Sequence, residues 1–161
     1  MKIEAIKEKL KEAGLKITPQ RIAVLQALAD NRTHPSAEEL IKTIRKVHPN
    51  ISVGTVYQIL NTLVSKNIIG KIETHNNVIH YDPVTESHHH LYIEESREIL
   101  DYFDDNLTAM VEDYLERHDR LNGISIEDVK IQIIGKRKKS QVKIKESQTI
   151  IKKSLNDHEF F

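Results

Sequence analysis

Four apolar stripes at helical spacing, each bounded by a proline, a glycine or a capping residue, occupy the first 66 residues and impose a helical start on the chain. Ile3, Ile6, Leu10 and Ala13 form the first stripe, and Gly14 ends it. Thr18 before Pro19 reads as an N-cap with proline in the first turn, ahead of a second stripe of Ile22, Leu25, Leu28 and Ala29. His34-Pro35 breaks that helix. Ser36 with Glu39 has the capping-box pattern, and Leu40, Ile41, Ile44 and Val47 are predicted to face inward on a third helix that stops before Pro49. Ser52 caps a fourth helix over residues 53–66, with Val53, Val56, Leu60, Leu63 and Val64 as its buried positions.

The other face of that fourth helix carries Thr55, Tyr57, Gln58, Asn61 and Thr62, so it is polar and almost uncharged. An ordinary solvated helix side would look like this, and so would a face that meets base edges and thymine methyls in a major groove. The next residues favour the groove. Residues 68–73 and 78–81 are strand-like, and Thr74-His75-Asn76-Asn77 between them has hairpin-turn composition. Three helices, a recognition helix and a hairpin are the layout of a winged helix. The predicted DNA contacts are Ser52, Thr55, Tyr57, Gln58 and Asn61, with Lys16, Arg21, Lys66 and Lys71 available to phosphates.

The second half has a different character. Residues 91–94 and 99–102 read as strands around Glu95-Ser96-Arg97, and a helix from Asp104 sets Leu107, Met110, Val111, Tyr114, Leu115 and His118 along one side. Val129, Ile131 and Ile133 alternate with Lys130 and Gln132 as a further strand. Such a small sheet is marginal alone, and pairing with a second copy would cure that.

The net charge of zero hides an uneven partition. Residues 1–85 carry 12 basic against 8 acidic side chains, residues 86–135 carry 4 against 13, and residues 136–161 carry 8 against 3. The expected class is therefore α+β: a winged helix-turn-helix DNA-binding domain over residues 1–82, a hinge at 83–87, and an α/β dimerisation domain over 88–140. Residues 141–161 form a basic extension, helical or disordered. No apolar run approaches the ~20 residues of a membrane span, and the opening Met1-Lys2-Ile3-Glu4 lacks the apolar core of a signal peptide. A soluble, cytoplasmic protein with no membrane partner is expected.

Four of the nine histidines fall between His80 and His90, and Asp101 follows eleven residues later. On a strand His88 and His90 share a face and His89 points away, so His88-x-His90 is a possible two-nitrogen chelate. Asp82 lies upstream, and Asp101 lies on the strand expected to fold back on the histidines. The chain has no cysteine, which excludes disulfides and thiolate metal sites, so any metal is held by nitrogen and oxygen. That donor set suits Mn, Fe(II), Co or Zn. Because imidazoles must be neutral to bind, occupancy should fall below about pH 6 to 7. A polar surface strand is the bland reading of the cluster. A metalloenzyme is the reading from another class, although no nucleophile or separate general base accompanies the histidines.

Residues 15–21 (Leu-Lys-Ile-Thr-Pro-Gln-Arg), 34–40 (His-Pro-Ser-Ala-Glu-Glu-Leu), Thr55-Val56-Tyr57 to Leu60, and Tyr81-Asp82 through His88-His89-His90 together resemble the ferric uptake regulator (Fur) family of metal-dependent winged-helix repressors. The resemblance runs over residues 10–135 and implies a homodimer that binds AT-rich, pseudo-palindromic double-stranded DNA operators. It also implies one regulatory divalent metal per subunit, Fe(II) or Mn(II), with Zn(II) possible in the isolated protein. The implied ligands are His34, Asp82, His88, His90 and Asp101; His34 is recruited by the resemblance alone, and His80 and His89 are left out. Asp101 stands where iron-responsive members usually have Glu and is similar to the peroxide-sensing branch, PerR. That branch implies oxidation of His34 or His88 by peroxide at bound iron, with release of DNA. A regulator of iron, manganese or zinc supply without peroxide chemistry is the alternative on the same scaffold.

Two departures stand out. Most relatives hold a structural zinc with two CxxC pairs, where this chain has Ile93 and Ser96, then Arg137 and Ser140. No four-cysteine structural zinc can form, although such a site can contribute on the order of 10 kcal/mol. Gln58 occupies a recognition-helix position that is often Arg, and Ser87 and Lys136 stand where a histidine would help build an accessory metal site.

Overall fold

The computed structural model describes residues 3–31, 33–74, 77–118 and 123–138; the predicted basic extension and the tip of the predicted hairpin lie outside these residues. The described chain forms two compact units that divide between Thr85 and Glu86.

The first unit contains α1 (Ile3–Glu12), α2 (Pro19–Asp30), α3 (Ala37–Val47), α4 (Val53–Ser65), β1 (Gly70–Glu73) and β2 (Ile79–Asp82). Local chemistry sets each helix end. Gly14 takes φ +69°, and Gly14 N and Leu15 N donate to the carbonyls of Lys11 and Leu10, a left-handed stop that glycine adopts without a Cβ clash. The Thr18 hydroxyl accepts from Arg21 N and the Ser52 hydroxyl from Thr55 N, while Ser36 and Glu39 satisfy each other's backbone amides as a capping box. Ile6, Leu10, Val24, Leu28, Leu40, Val56, Leu60 and Leu63 are sealed in one core that takes a side from every helix. β1 and β2 pair antiparallel with Gly70 opposite Asp82, which makes the wing of a winged helix.

Two residues predicted to face this core do not. Val47 is 72% exposed and Val53 43% exposed. Val47 is the last residue of α3 and Val53 the first of α4, so each continues its helical stripe past the edge of the core. Ile59, absent from the expected stripe, is buried instead.

The second unit contains β3 (His89–Ile93), β4 (Glu98–Tyr102), α5 (Asp105–Arg117) and β5 (Gln132–Gly135). The sheet order is β4-β3-β5, with β4 antiparallel and β5 parallel to β3. The last strand starts three residues later than the alternation from Val129 predicts. Ile131 N donates to the His89 imidazole at 3.4 Å, so the ladder begins at Gln132. Asp104 caps α5 by accepting from Leu107 N, and none of the helix's side chains is buried. Arg137 Nη2 donates to Glu98 Oε2 at 2.8 Å, its amide donates to Glu95 Oε2, and Lys136 pairs with Glu94. These contacts join the β3–β4 hairpin to the residues that follow β5.

Candidate metal centre and nucleic-acid face

His88 stands at the entry to β3. Its Nδ1 lies 2.7 Å from the Glu86 carbonyl oxygen. A carbonyl only accepts, so Nδ1 carries the hydrogen and Nε2 presents a lone pair. That Nε2 lies 3.0 Å from His90 Nε2 and 3.3 Å from Asp101 Oδ1, and His90 Nε2 lies 3.8 Å from the same carboxylate oxygen. Strand register produces the grouping: His90 faces Asp101 across the β3–β4 pair, and His88 shares the face of His90. The Phe103 ring stacks on His88 with centroids 5.0 Å apart. Two donors each about 2.1 Å from one ion sit about 3.0 to 3.5 Å apart in octahedral or tetrahedral geometry. Two imidazoles and a carboxylate, with two of their three separations in that range and the third at 3.8 Å, form a donor set for a hard-to-borderline divalent metal.

The first unit holds a second nitrogen and oxygen pair. His34 Nε2 lies 3.6 Å from Asp82 Oδ1, and both side chains are buried. His34 has φ +49°, a left-handed backbone that a residue with a Cβ seldom adopts. Its carbonyl accepts from His80 Nδ1 at 2.6 Å, and the next carbonyl, of Pro35, accepts from Tyr81 N. Asp82 Oδ1 also accepts from Val84 N at 2.7 Å. Gly70 faces Asp82 so closely that a Cβ there would lie 3.3 Å from Asp82 Cβ. The structure thus groups His34 with Asp82 in one unit, and His88 and His90 with Asp101 in the other.

The two histidines left out of the ligand set have structural work. His80 holds the His34 carbonyl. His89 is buried, with Nε2 3.1 Å from the Thr108 hydroxyl of α5 and Nδ1 accepting from Ile131 N. Sequence reasoning missed Glu86, Phe103, Gly70 and His80 as supports of the donors. His80 reaches a carbonyl 46 residues away, and no local spacing signals that.

On α4, Tyr57, Gln58 and Asn61 are exposed as predicted. Ser52 and Thr55 are engaged with each other, hydroxyl to hydroxyl at 2.8 Å, as part of the cap. Arg21 donates to the Lys16 carbonyl at 2.6 Å, and Lys71 pairs with Glu73 at 2.7 Å. Behind this face, burial and then the neighbouring Tyr57 phenol push the Tyr81 phenol above its ordinary pKa. No helix among the described residues is long and apolar enough to cross a membrane.

Comparison with known proteins agrees with this fold. Residues 12–134 match the model of the Ferric uptake regulator family. The chain is 30% identical over 128 residues to the Peroxide operon regulator of Bacillus subtilis (strain 168), covering 80% of this chain and 86% of that protein. Among solved structures it is similar to the Campylobacter jejuni peroxide stress regulator (TM-score 0.62, 28% identity, 88% of this chain and 100% of that one). It is also similar to the Helicobacter pylori ferric uptake regulator, described as having three functional metal binding sites (TM-score 0.67, 27% identity, 87% and 97%).

Proposed function

The chain belongs to the ferric uptake regulator family, and we propose that it is a repressor which holds its DNA operator while one divalent metal, Fe(II) or Mn(II), is bound, and releases it when hydrogen peroxide oxidises a ligand histidine. Family membership makes it a metal-responsive transcriptional regulator and not an enzyme, as expected, and sets aside the remote metalloenzyme alternative. The ligand set proposed is His34 and Asp82 from the first unit with His88, His90 and Asp101 from the second. The operator is an AT-rich pseudo-palindrome read by Tyr57, Gln58 and Asn61 of two copies.

One observation carries the metal reading: His88 Nε2, His90 Nε2 and Asp101 Oδ1 converge at 3.0 to 3.8 Å, with the His88 tautomer set by Glu86. A carbonyl partner on the far nitrogen is the usual way a ligating histidine is oriented and made more basic. Peroxide as the signal is supported by the names of the Bacillus and Campylobacter relatives and by Asp101 in place of Glu. Fe(II) held by His34, Asp82, His88, His90 and Asp101 would supply the redox chemistry that reduces hydrogen peroxide. His34 and His88 are the imidazoles proposed to take up oxygen, and a ring so altered no longer presents the same donor. The Helicobacter relative favours the second reading, a regulator of metal supply on the same donors.

The deciding experiment is anaerobic operator binding with Fe(II) or with Mn(II), before and after peroxide, followed by mass spectrometry of the peptides containing His34 and His88. Loss of binding with oxygen added to a histidine under Fe(II) but not Mn(II) is expected. Unmodified histidines and undiminished binding would leave the metal-supply reading. His88→Ala and Asp101→Ala are each expected to abolish metal-dependent binding while the protein stays folded.

A further inference from the structure

Between α3 and the start of α4 lies an open groove of about 690 Å³ whose charge the DNA face chosen from sequence leaves out. Lys42, Arg45 and Lys46 line it at helical spacing and are all exposed. Ile41, Pro49 and Val53 give it an apolar lining, and Tyr57 contributes from the recognition helix. Glu38, one turn before Lys42, is the acidic residue of the lining. Among the described residues no hydrogen bond or ion pair engages any of the three cations. Arg21 and Lys71, by contrast, are already committed to a carbonyl and a carboxylate. Arg45 and Lys46 complement the partial negative charge at the C-terminus of α3, but Lys42 lies a turn too early for that use.

A strand of duplex DNA offers such a groove alternating phosphates and apolar deoxyribose edges. In a helix-turn-helix the helix before the recognition helix crosses the backbone bordering the major groove. We propose that Lys42, Arg45 and Lys46 form a phosphate-gripping surface for that backbone, adjoining Tyr57. The inference rests on the operator-binding reading and adds to it a sequence-independent grip on α3.

The test uses the full chain loaded with Mn(II), an operator selected from a randomised duplex pool by the wild-type protein, and a random duplex of equal length. Lys42→Gln/Arg45→Gln/Lys46→Gln should weaken binding to both duplexes by the same factor. It should also make the dependence of log affinity on log salt shallower by about 2.7 for each subunit bound, at roughly 0.9 per phosphate lost. Lys42→Arg/Lys46→Arg should keep the wild-type slope, and Asn61→Ala should weaken the selected operator alone. If the triple variant does not fold, Lys42→Gln alone should remove about 0.9 of the slope for each subunit bound. A variant that binds both duplexes with wild-type affinity and slope overturns the proposal. A wild-type chain that retains no duplex from the pool overturns the operator reading, and this one with it.

Discussion

The two units hold themselves together by different physics. The first seals eight large aliphatic side chains completely, drawn from all four helices. In the second, Tyr92 and Ile99 are the buried apolar residues among those described, and Leu100, Met110, Tyr114, Ile124, Ile133 and Ile134 are exposed. Polar contacts take over there: Arg137 on Glu98, Ser87 on Asp128, Tyr102 on Asp104, and His89 between Thr108 and Ile131. Exposed ion pairs stabilise little, because both groups give up good hydration. A unit with its own sealed core is thus joined to a unit that a second copy would complete, and the contrast can be attacked from several sides.

The largest effect should come from Leu60→Ala, which opens a cavity in the sealed core and should cost about 2 to 5 kcal/mol in urea unfolding. If the units are independent, self-association measured by sedimentation stays as in the wild type. Met110→Lys/Tyr114→Lys attacks the open unit instead. Sedimentation should then show dimer affinity reduced by tenfold or more, about 1.4 kcal/mol, with the core of the first unit unaffected. Unaltered association would move the dimer surface off α5.

A smaller change tests how a packing detail reaches the donors. Gly70→Ala sets a methyl 3.3 Å from Asp82 Cβ and should cost about 1 kcal/mol, the low end for overpacking, while lowering Mn(II) affinity in calorimetry. Full affinity in a folded variant would remove Asp82 from the ligand set.

The smallest effect concerns acid. The Arg137 guanidinium and then the Ser96 hydroxyl hold Glu98 below its ordinary 4.5; Tyr102 does the same for Asp104, and Ser87 for Asp128, against an ordinary 3.8. Carboxylates with depressed folded pKa values stabilise the fold above their unfolded values, and that stability is lost as pH falls through the folded ones. Urea midpoints of the second unit should therefore fall as the pH drops below about 4.5, the ordinary carboxylate value. Arg137→Gln should soften that fall. A pH profile unchanged by the substitution would show that the ion pair does not form in solution.

Much of the first unit was legible because its signals are local. Thr18, Ser36 and Ser52 announce their helices within three residues, and the stripe of α4 holds at Val56, Leu60 and Leu63 while omitting Ile59. Val47 and Val53 misled because a periodic pattern does not reveal where the core ends. In the second unit the stripe on α5 was readable, but amphipathicity cannot tell whether a helix is covered by its own chain or another. The late start of β5 depends on a side chain, His89, taking an amide that alternation assigns to the ladder. At the candidate site, the shared face of His88 and His90 followed from strand period, and the Asp101 register from a short hairpin. His34 was beyond that logic: its left-handed backbone is one that a residue with a Cβ seldom adopts, and its His80 prop is a contact between distant segments.

The position of β3 has a consequence in time. It lies between β4 and β5 and is hydrogen-bonded on both sides, whereas its neighbours border the sheet. Fraying starts at edges, so the amides of residues 90–93 should be the slowest of their unit to exchange with deuterium. Of the two histidines proposed to register oxidation, His88 therefore stands at the entry to the segment least able to open by itself. Damage to its ring has no local breathing motion in which to dissipate, and it must be felt by the unit as a whole.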